Sequence, residues 1–141
     1  MKALSDSYTL DANIILRYLM RDNEDQWKKA DAMIRAMADG KLHLVCDPVT
    51  LAEVVWTLGS FYKLDRLQIR EGLEPIVASE SFHLPDKDIY LRALALYEGT
   101  ENFHDACACA MATETSEGRL LSFDKKISNV PGVERLEELT P

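Results

Sequence analysis

The sequence predicts an α/β fold with a central, mostly parallel β-sheet of four to five strands and helices on both faces. Short β-like runs alternate with longer helical runs along the chain. This alternation is typical of parallel sheets, because parallel strands are joined by crossovers that usually contain a helix. The 141 residues are 47% hydrophobic and contain no Pro/Gly/Ser-rich linker, so we expect a single domain over residues 1–141.

Five runs fit short strands bounded by polar or turn residues. They are "SYTL" before Asp11, "KLHLVC" before Asp47, "SFHL" before Pro85, "RLLSF" before Asp124, and "VERL", which would add an edge strand.

The runs between them have helical spacing and recognisable ends. The first helix follows Asp11 as "NIILRYLMR", and the second extends from about Glu24 to Ala38, before Gly40. Asp47 and Pro48 fit the cap and first turn of a third helix.

Three more helices complete the pattern. One extends from about Asp65 to Ala78, where Gly72 and Pro75 predict a kink or a break. The last two are "DKDIYLRALALYEG" and "ENFHDACACAMATETSEG", each ending at a glycine.

Composition and charge exclude several classes of protein. No apolar run is long enough to span a membrane, and the start lacks the apolar core of a secretory signal, so a cytoplasmic protein without membrane contact is expected. Three cysteines indicate core residues rather than a disulfide framework. The net charge of -8 argues against holding nucleic acid by a basic face alone. A nuclease remains possible, because divalent cations on an acidic cluster present positive charge locally.

Four carboxylates occupy positions where the active sites of such folds form. Asp11 and Asp124 directly follow strands, Asp105 falls in the first turn of the helix that begins near Asn102, and Glu53 lies in the third helix. Functional groups in these folds collect beyond the carboxyl ends of the strands. The four carboxylates are therefore expected to meet there.

Each aspartate also fits a purely structural role. Asp11 and Asp124 fit helix N-caps, and Asn102 with Asp105 has the spacing of a capping pair. Glu53 is different, since it is mid-helix and is the one ionisable residue of "VTLAEVVWTL". Burying an unpaired carboxylate there would cost several kcal/mol, so we expect Glu53 to face a polar, metal-bearing pocket.

A cluster of four carboxylates would need protons or a cation. Two carboxylates about 4 Å apart repel by roughly 4 kcal/mol at an effective dielectric constant near 20. Carboxylate oxygens without thiol or imidazole favour Mg²⁺ or Mn²⁺. Such ions orient water and neutralise phosphoryl oxygens, which suits hydrolysis of phosphodiester bonds in nucleic acid.

Four stretches in this order, "LDANIILRYL", "VTLAEVVWTL", "FHDACACAMA" and "LLSFDKKI", resemble PIN-domain ribonucleases over essentially the whole chain. They resemble in particular the toxin member (VapC type) of bacterial toxin–antitoxin pairs. The resemblance implies a PIN-like fold and a Mg²⁺- or Mn²⁺-dependent endoribonuclease.

The resemblance also implies roles for individual residues. Asp11, Asp105 and Asp124 would hold the metal directly or through water. Glu53 would help to hold the metal or position its waters. Asn13 and Ser122 match polar positions beside the first and last acids, where they would orient ligands or substrate.

Two residues depart from the family pattern. Ala12 stands where Ser or Thr is usual after the first aspartate, and His104 stands where a small or apolar residue is common. His104 could touch substrate. The resemblance further implies a homodimer, an RNA substrate and a cognate antitoxin protein that covers the pocket.

Three rival hypotheses remain open. A PIN-like module without turnover would only pair with its antitoxin. A phosphatase of another α/β family would want a second aspartate two residues after Asp11, where this chain has Asn13. A metal-independent ribonuclease would use imidazoles, but His43 and His83 lie in strand-like runs and fit edge or packing positions better.

Overall fold

The computed structural model describes residues 6–136, apart from the side chain of Ser128. The chain divides into two compact units, with the boundary in sequence between Lys87 and Asp88. A single domain over residues 1–141 stays a prediction.

Over residues 6–87, the first unit contains three strands and four helices. In chain order they are β1 (Ser7–Thr9), α1 (Ala12–Met20), α2 (Glu24–Ala38), β2 (His43–Val45), α3 (Pro48–Ser60), α4 (Arg66–Val77) and β3 (Phe82–His83).

The three strands form a parallel sheet in the order β1-β2-β3. Leu44 and Phe82 are opposite each other in the register and both are almost fully buried. Helix α1 packs against α2 and α3, and α3 packs against α4. The core side chains from these helices that are entirely inaccessible are Ile15, Leu51, Val54, Val55, Leu58, Leu73 and Val77.

All four helices of this unit begin with a side-chain cap. The capping residues, whose side-chain oxygens accept from backbone N–H groups, are Asp11, Asn23, Asp47 and Asp65. Asp47 accepts from the Thr50 backbone N–H at 2.8 Å, and this bond holds the pKa of Asp47 below its usual value. The predicted cap and proline start of α3 are confirmed.

Helix α4 continues through the two residues at which we expected a kink or a break. The prediction of a break is wrong, because one helix covers Arg66–Val77. Pro75 lies in the last turn, so the hydrogen bond that it cannot donate to the Glu71 carbonyl is lost only two residues before the helix ends. Gly72 has a packing role, since a Cβ there would lie 3.3 Å from Cδ2 of Leu19 in α1.

Over residues 88–136, the second unit contains two helices and two strands, with two short 3-10 helices between them, and its first helix begins at Lys87, the last residue of the first unit. In chain order they are α5 (Lys87–Leu96), the 3-10 helix Tyr97–Gly99, α6 (Phe103–Thr115), β4 (Arg119–Leu121), the 3-10 helix Lys125–Asn129 and β5 (Glu134–Leu136). Strands β4 and β5 pair in parallel. Cys109, Ile127 and Val130 form a buried cluster against which Leu96, Leu120 and Val133 pack.

The predicted α/β class with parallel strands and flanking helices is confirmed. All five predicted strands form, and "VERL" supplies β5 as expected. Hydrogen bonding groups them as a three-stranded and a two-stranded sheet. Within residues 6–136, no helix combines the length and apolar character that a membrane span requires.

The three cysteines are free thiols, as the sequence indicated. Cys46 is almost completely buried, and this burial raises the pKa of its thiol to about 11. Burial also raises the pKa of Cys107 to about 11. Both side chains therefore remain protonated near neutral pH.

Candidate metal centre

Three carboxylates converge in the second unit. Glu101, Asp105 and Asp124 each offer an oxygen, and these oxygens all lie within 4.8 Å of one another. They come from the segment before α6, from the first turn of α6 and from the segment after β4. Two of the predicted site residues, Asp105 and Asp124, are thus brought together.

The start of α6 fixes the position of Asp105. Asn102 caps the helix, and its side-chain oxygen accepts the Asp105 backbone N–H at 2.9 Å. The buried Thr100 hydroxyl lies 3.1 Å from the carbonyl oxygens of both Tyr97 and Asn102. These contacts restrict the backbone conformation of the segment that precedes the helix. The Asp105 side chain is 16% exposed. The positive end of the helix dipole favours a negative charge at this position.

Asp124 is held by the turn that follows β4. Its backbone N–H donates to Ser122 Oγ at 3.0 Å, and its Oδ1 accepts from the Lys126 backbone N–H at 3.0 Å. Asp124 is therefore the N-cap of a 3-10 helix, the structural role that the sequence also allowed. A carboxylate has two oxygens, so capping and metal binding are compatible.

Glu101 is paired with a lysine at the edge of the cluster. Lys126 Nζ lies 2.9 Å from Glu101 Oε1, and both side chains are largely exposed. The hydrogen bond to Glu101 and the negative charge of Glu101 and Asp124 raise the pKa of Lys126. The ammonium group therefore supplies one positive charge beside the three carboxylates.

These side chains line a cavity of about 310 Å³, together with Thr100 and Ile127. Each pair of carboxylates at this separation repels by roughly 1 to 3 kcal/mol, depending on how well solvent screens it. A divalent cation would convert this repulsion into attraction. An all-oxygen donor set suits Mg²⁺ or Mn²⁺.

His104 adjoins this cluster but its side chain points largely into solvent. Its Nδ1 lies 3.7 Å from Asp105 Oδ1, and its side chain is 89% exposed. The imidazole is accessible to solvent, and contact between His104 and a substrate stays a prediction.

The other predicted site residues belong to the first unit. Asp11 is exposed and caps α1, accepting from the Ala12 backbone N–H at 2.8 Å. The Asn13 side-chain amide donates to the second oxygen of Asp11 at 3.4 Å. This contact agrees with the predicted position of Asn13 beside the first acid.

Glu53 does not face the core. It lies on an exposed side of α3 with Val49 and Trp56, while Leu51, Val54, Val55 and Leu58 form the buried side. Its charge is accessible to water, so the expected burial cost does not arise. The helix pattern alone therefore explains why Glu53 is tolerated.

Glu101 is not among the site residues that the sequence predicts. This residue precedes the N-cap Asn102, in a position with no periodic pattern, and it resembles an ordinary surface acid. The one available signal was its spacing of four residues from Asp105.

Comparisons with known proteins identify the family. No curated protein gave a significant match to the sequence. The family model for the PIN domain matches residues 8–133, which include most of each unit. PIN domains generally have a nuclease fold and are typically metal-dependent, in agreement with an acidic cluster that could hold a metal ion. The chain therefore belongs to the PIN domain family.

Proposed function

We propose that this protein is a Mg²⁺- or Mn²⁺-dependent endoribonuclease that acts as the toxin of a VapC-type toxin–antitoxin pair. The convergence of Glu101, Asp105 and Asp124 supports the nuclease role most directly. The family match supports the same class of chemistry.

The chemistry follows from the donor set. A divalent cation bound by Asp105 and Asp124 would activate water and neutralise charge on the phosphoryl oxygens. Ser122 fixes the backbone at Asp124, and Asn102 fixes it at Asp105, so both carboxylates are positioned before metal binds. Such preorganisation lowers the cost of assembling the site.

Lys126 and His104 both lie beside this cluster, where Lys126 contacts Glu101 and His104 adjoins Asp105. Lys126 would exchange its bond to Glu101 for contact with a substrate phosphate once metal neutralises the carboxylate. His104 has the exposure needed to contact RNA.

We also propose that Asp11 and Glu53 take part in cleavage, with Asn13 orienting Asp11. The contact between Asn13 and Asp11 and the accessibility of Glu53 support these roles. The support for Asp11 and Glu53 otherwise comes from their match to the family motifs.

The proposed partners are an RNA substrate, a cognate antitoxin protein and a second copy of the chain. The exposed side of α3 supports a homodimer, because Val49 and Trp56 are 79% and 69% exposed and would gain from burial.

The proposal is tested by mapping new RNA 5′ ends across the transcriptome after brief expression in a bacterial host. Wild type is compared with Asp124→Asn, with Asp11→Asn and with the control Glu98→Gln, which removes an exposed charge from the 3-10 helix before α6. Discrete ends should occur in wild type and Glu98→Gln and should be absent in Asp124→Asn.

Other outcomes distinguish the rival roles. Identical ends in wild type and Asp124→Asn would reject the acidic cluster as the nuclease centre. If none of the four proteins produces new RNA ends but the wild type still binds its cognate antitoxin protein, the result would favour a catalytically silent PIN-like binding module. If the new RNA ends persist in Asp11→Asn but are lost in Asp124→Asn, Asp11 does not belong to the proposed site.

A further inference from the structure

We propose that His43 and His83 form a binding site for a divalent transition-metal ion on the three-stranded sheet of the first unit. This site is independent of the proposed nuclease function. It would take an ion that prefers imidazole, such as Ni²⁺, Cu²⁺ or Zn²⁺, rather than Mg²⁺.

The two imidazoles are brought together by neighbouring strands. His43 lies in β2 and His83 in β3, and His43 Nδ1 is 2.8 Å from His83 Nε2. The ring centroids are 4.9 Å apart and the ring planes are inclined by 40°. Strand pairing therefore places side by side two nitrogen donors whose residues are 40 positions apart in the sequence.

The parallel register places both histidines on the same face of the sheet. His83 is opposite Val45, two residues after His43, whereas Leu44 and Phe82 point to the other face and are buried. His43 is half-buried and His83 is exposed. An ion from solvent can therefore reach the pair while the strands hold the two backbones fixed.

The separation of the nitrogens fits chelation of one ion. Metal–imidazole bonds are about 2.0–2.1 Å long, so adjacent ligands of a square-planar ion lie about 2.9 Å apart and those of a tetrahedral ion about 3.4 Å apart. The observed 2.8 Å matches the first geometry, and binding would require each ring to turn so that its lone pair points to the shared ion instead of to the other ring. Ni²⁺ and Cu²⁺ are therefore the best fit.

Without metal, one ring donates an N–H to the other ring's lone pair. Metal binding needs both facing nitrogens deprotonated, so the donor ring moves its proton to its other nitrogen and the shared hydrogen bond is replaced by two metal–nitrogen bonds. This change between neutral tautomers releases no proton. Acid weakens binding, because protonated imidazole is not a ligand.

Ser7 supplies a second polar group on this face. It is opposite His43 in the β1–β2 register, so its side chain shares the face of His43. Its hydroxyl oxygen is buried and finds no hydrogen-bond partner within residues 6–136. Water coordinated to the ion would provide such a partner, since two protein ligands leave coordination positions to be filled by water.

The test uses untagged protein and Ni²⁺ as the probe, with millimolar Mg²⁺ present to occupy the acidic centre. Ni²⁺ affinity is measured by titration calorimetry, and retention on an immobilised-Ni²⁺ column gives an independent readout. Wild type is compared with His43→Asn, His83→Asn and the control His104→Asn, which removes the third histidine. Circular dichroism confirms that each variant is folded.

Loss of either paired histidine should weaken Ni²⁺ binding roughly tenfold or more, because chelation by two linked ligands becomes binding by one. Retention on the column should fall in parallel, and His104→Asn should behave like wild type. Equal Ni²⁺ affinity in wild type and His83→Asn would overturn the proposal. A loss in His104→Asn as large as that in His83→Asn would also overturn it.

Discussion

The carboxylates of the two units have different surroundings. In the first unit, Asp11 caps a helix and Glu53 stands exposed on the side of α3. In the second unit, Asp105 and Asp124 join Glu101 with all three ligand oxygens within 4.8 Å. The difference shows that a position between a strand and a helix does not by itself place a carboxylate in a cluster, because Asp11 has such a position as well. The three clustered residues come from a loop, a helix start and a strand end.

The largest effect we expect is on metal affinity. Asp105→Asn removes a charged ligand from the cluster and should weaken Mn²⁺ binding by about tenfold to a hundredfold. Asp65→Asn, at the cap of α4 in the first unit, keeps a capping side chain and should leave the affinity unchanged. Electron paramagnetic resonance titration with Mn²⁺ measures both. Equal losses in the two variants would show that bulk charge, not the cluster, controls binding.

Two equivalent helix N-caps, one at the cluster and one in the first unit, allow an effect on stability to be distinguished from an effect on metal binding. Asn102 and Asn23 both accept the backbone N–H three residues on, at 2.9 and 3.0 Å. Replacing either by Ala should reduce the free energy of unfolding by about 0.5–2 kcal/mol. Urea titration measures this loss.

The same two variants should differ in metal affinity. Asn102→Ala loosens the turn that positions Asp105 and should weaken Mn²⁺ binding severalfold, whereas Asn23→Ala should not. An unchanged Mn²⁺ affinity in a destabilised Asn102→Ala would mean that the cap does not position the ligand.

Lys126 provides a smaller test of the cluster. Its ammonium group competes with a metal ion for Glu101, so Lys126→Gln should raise Mn²⁺ affinity by about threefold to tenfold at low salt. Lys125→Gln removes the same charge one residue away and should have less effect. A fall in affinity for Lys126→Gln would show that the lysine supports the site instead of competing for it.

The smallest effect we expect is a change with pH in the contribution of Asp47, in the first unit, to the free energy of unfolding. The pKa of Asp47 is lowered in the folded protein by its hydrogen bond from the Thr50 N–H. A lowered folded pKa gives stability that is fully present above the unfolded pKa and is lost as the pH falls through the folded pKa. The stability difference between wild type and Asp47→Ala should therefore be constant above about pH 5 and shrink below pH 4. Urea unfolding midpoints of both proteins, measured from pH 7 down to the lowest pH at which they fold, provide the measurement. A stability difference between wild type and Asp47→Ala that increases as the pH falls would contradict the prediction.

The sequence was sufficient for local structure and insufficient for tertiary detail. Helix α2 extends over Glu24–Ala38 as predicted, because its periodicity and stop signals are local. The continuity of α4 was not predictable, since the role of Gly72 depends on its packing against Leu19. Strand pairing likewise depends on contacts between distant residues, so the grouping into three and two strands could not be read from the sequence.

The candidate site shows the same limit. Asp105 was placed correctly in the first turn of α6 because the Asn102 cap is a local signal. Glu101 was missed because its role depends on proximity to Asp124, which is 23 residues further on. The exposure of Glu53 shows that one charge in an apolar run can simply mark the solvent side of a helix.

The most direct test of a metal-dependent nuclease centre is RNA cleavage by the purified protein as Mn²⁺ or Mg²⁺ is titrated. Wild type and Glu98→Gln should cleave only when metal is present, and chelation should stop the reaction. Asp124→Asn should be slower by roughly two orders of magnitude or more at every metal concentration. Cleavage that persists in chelator, or an Asp124→Asn protein as active as wild type, would contradict the proposed centre.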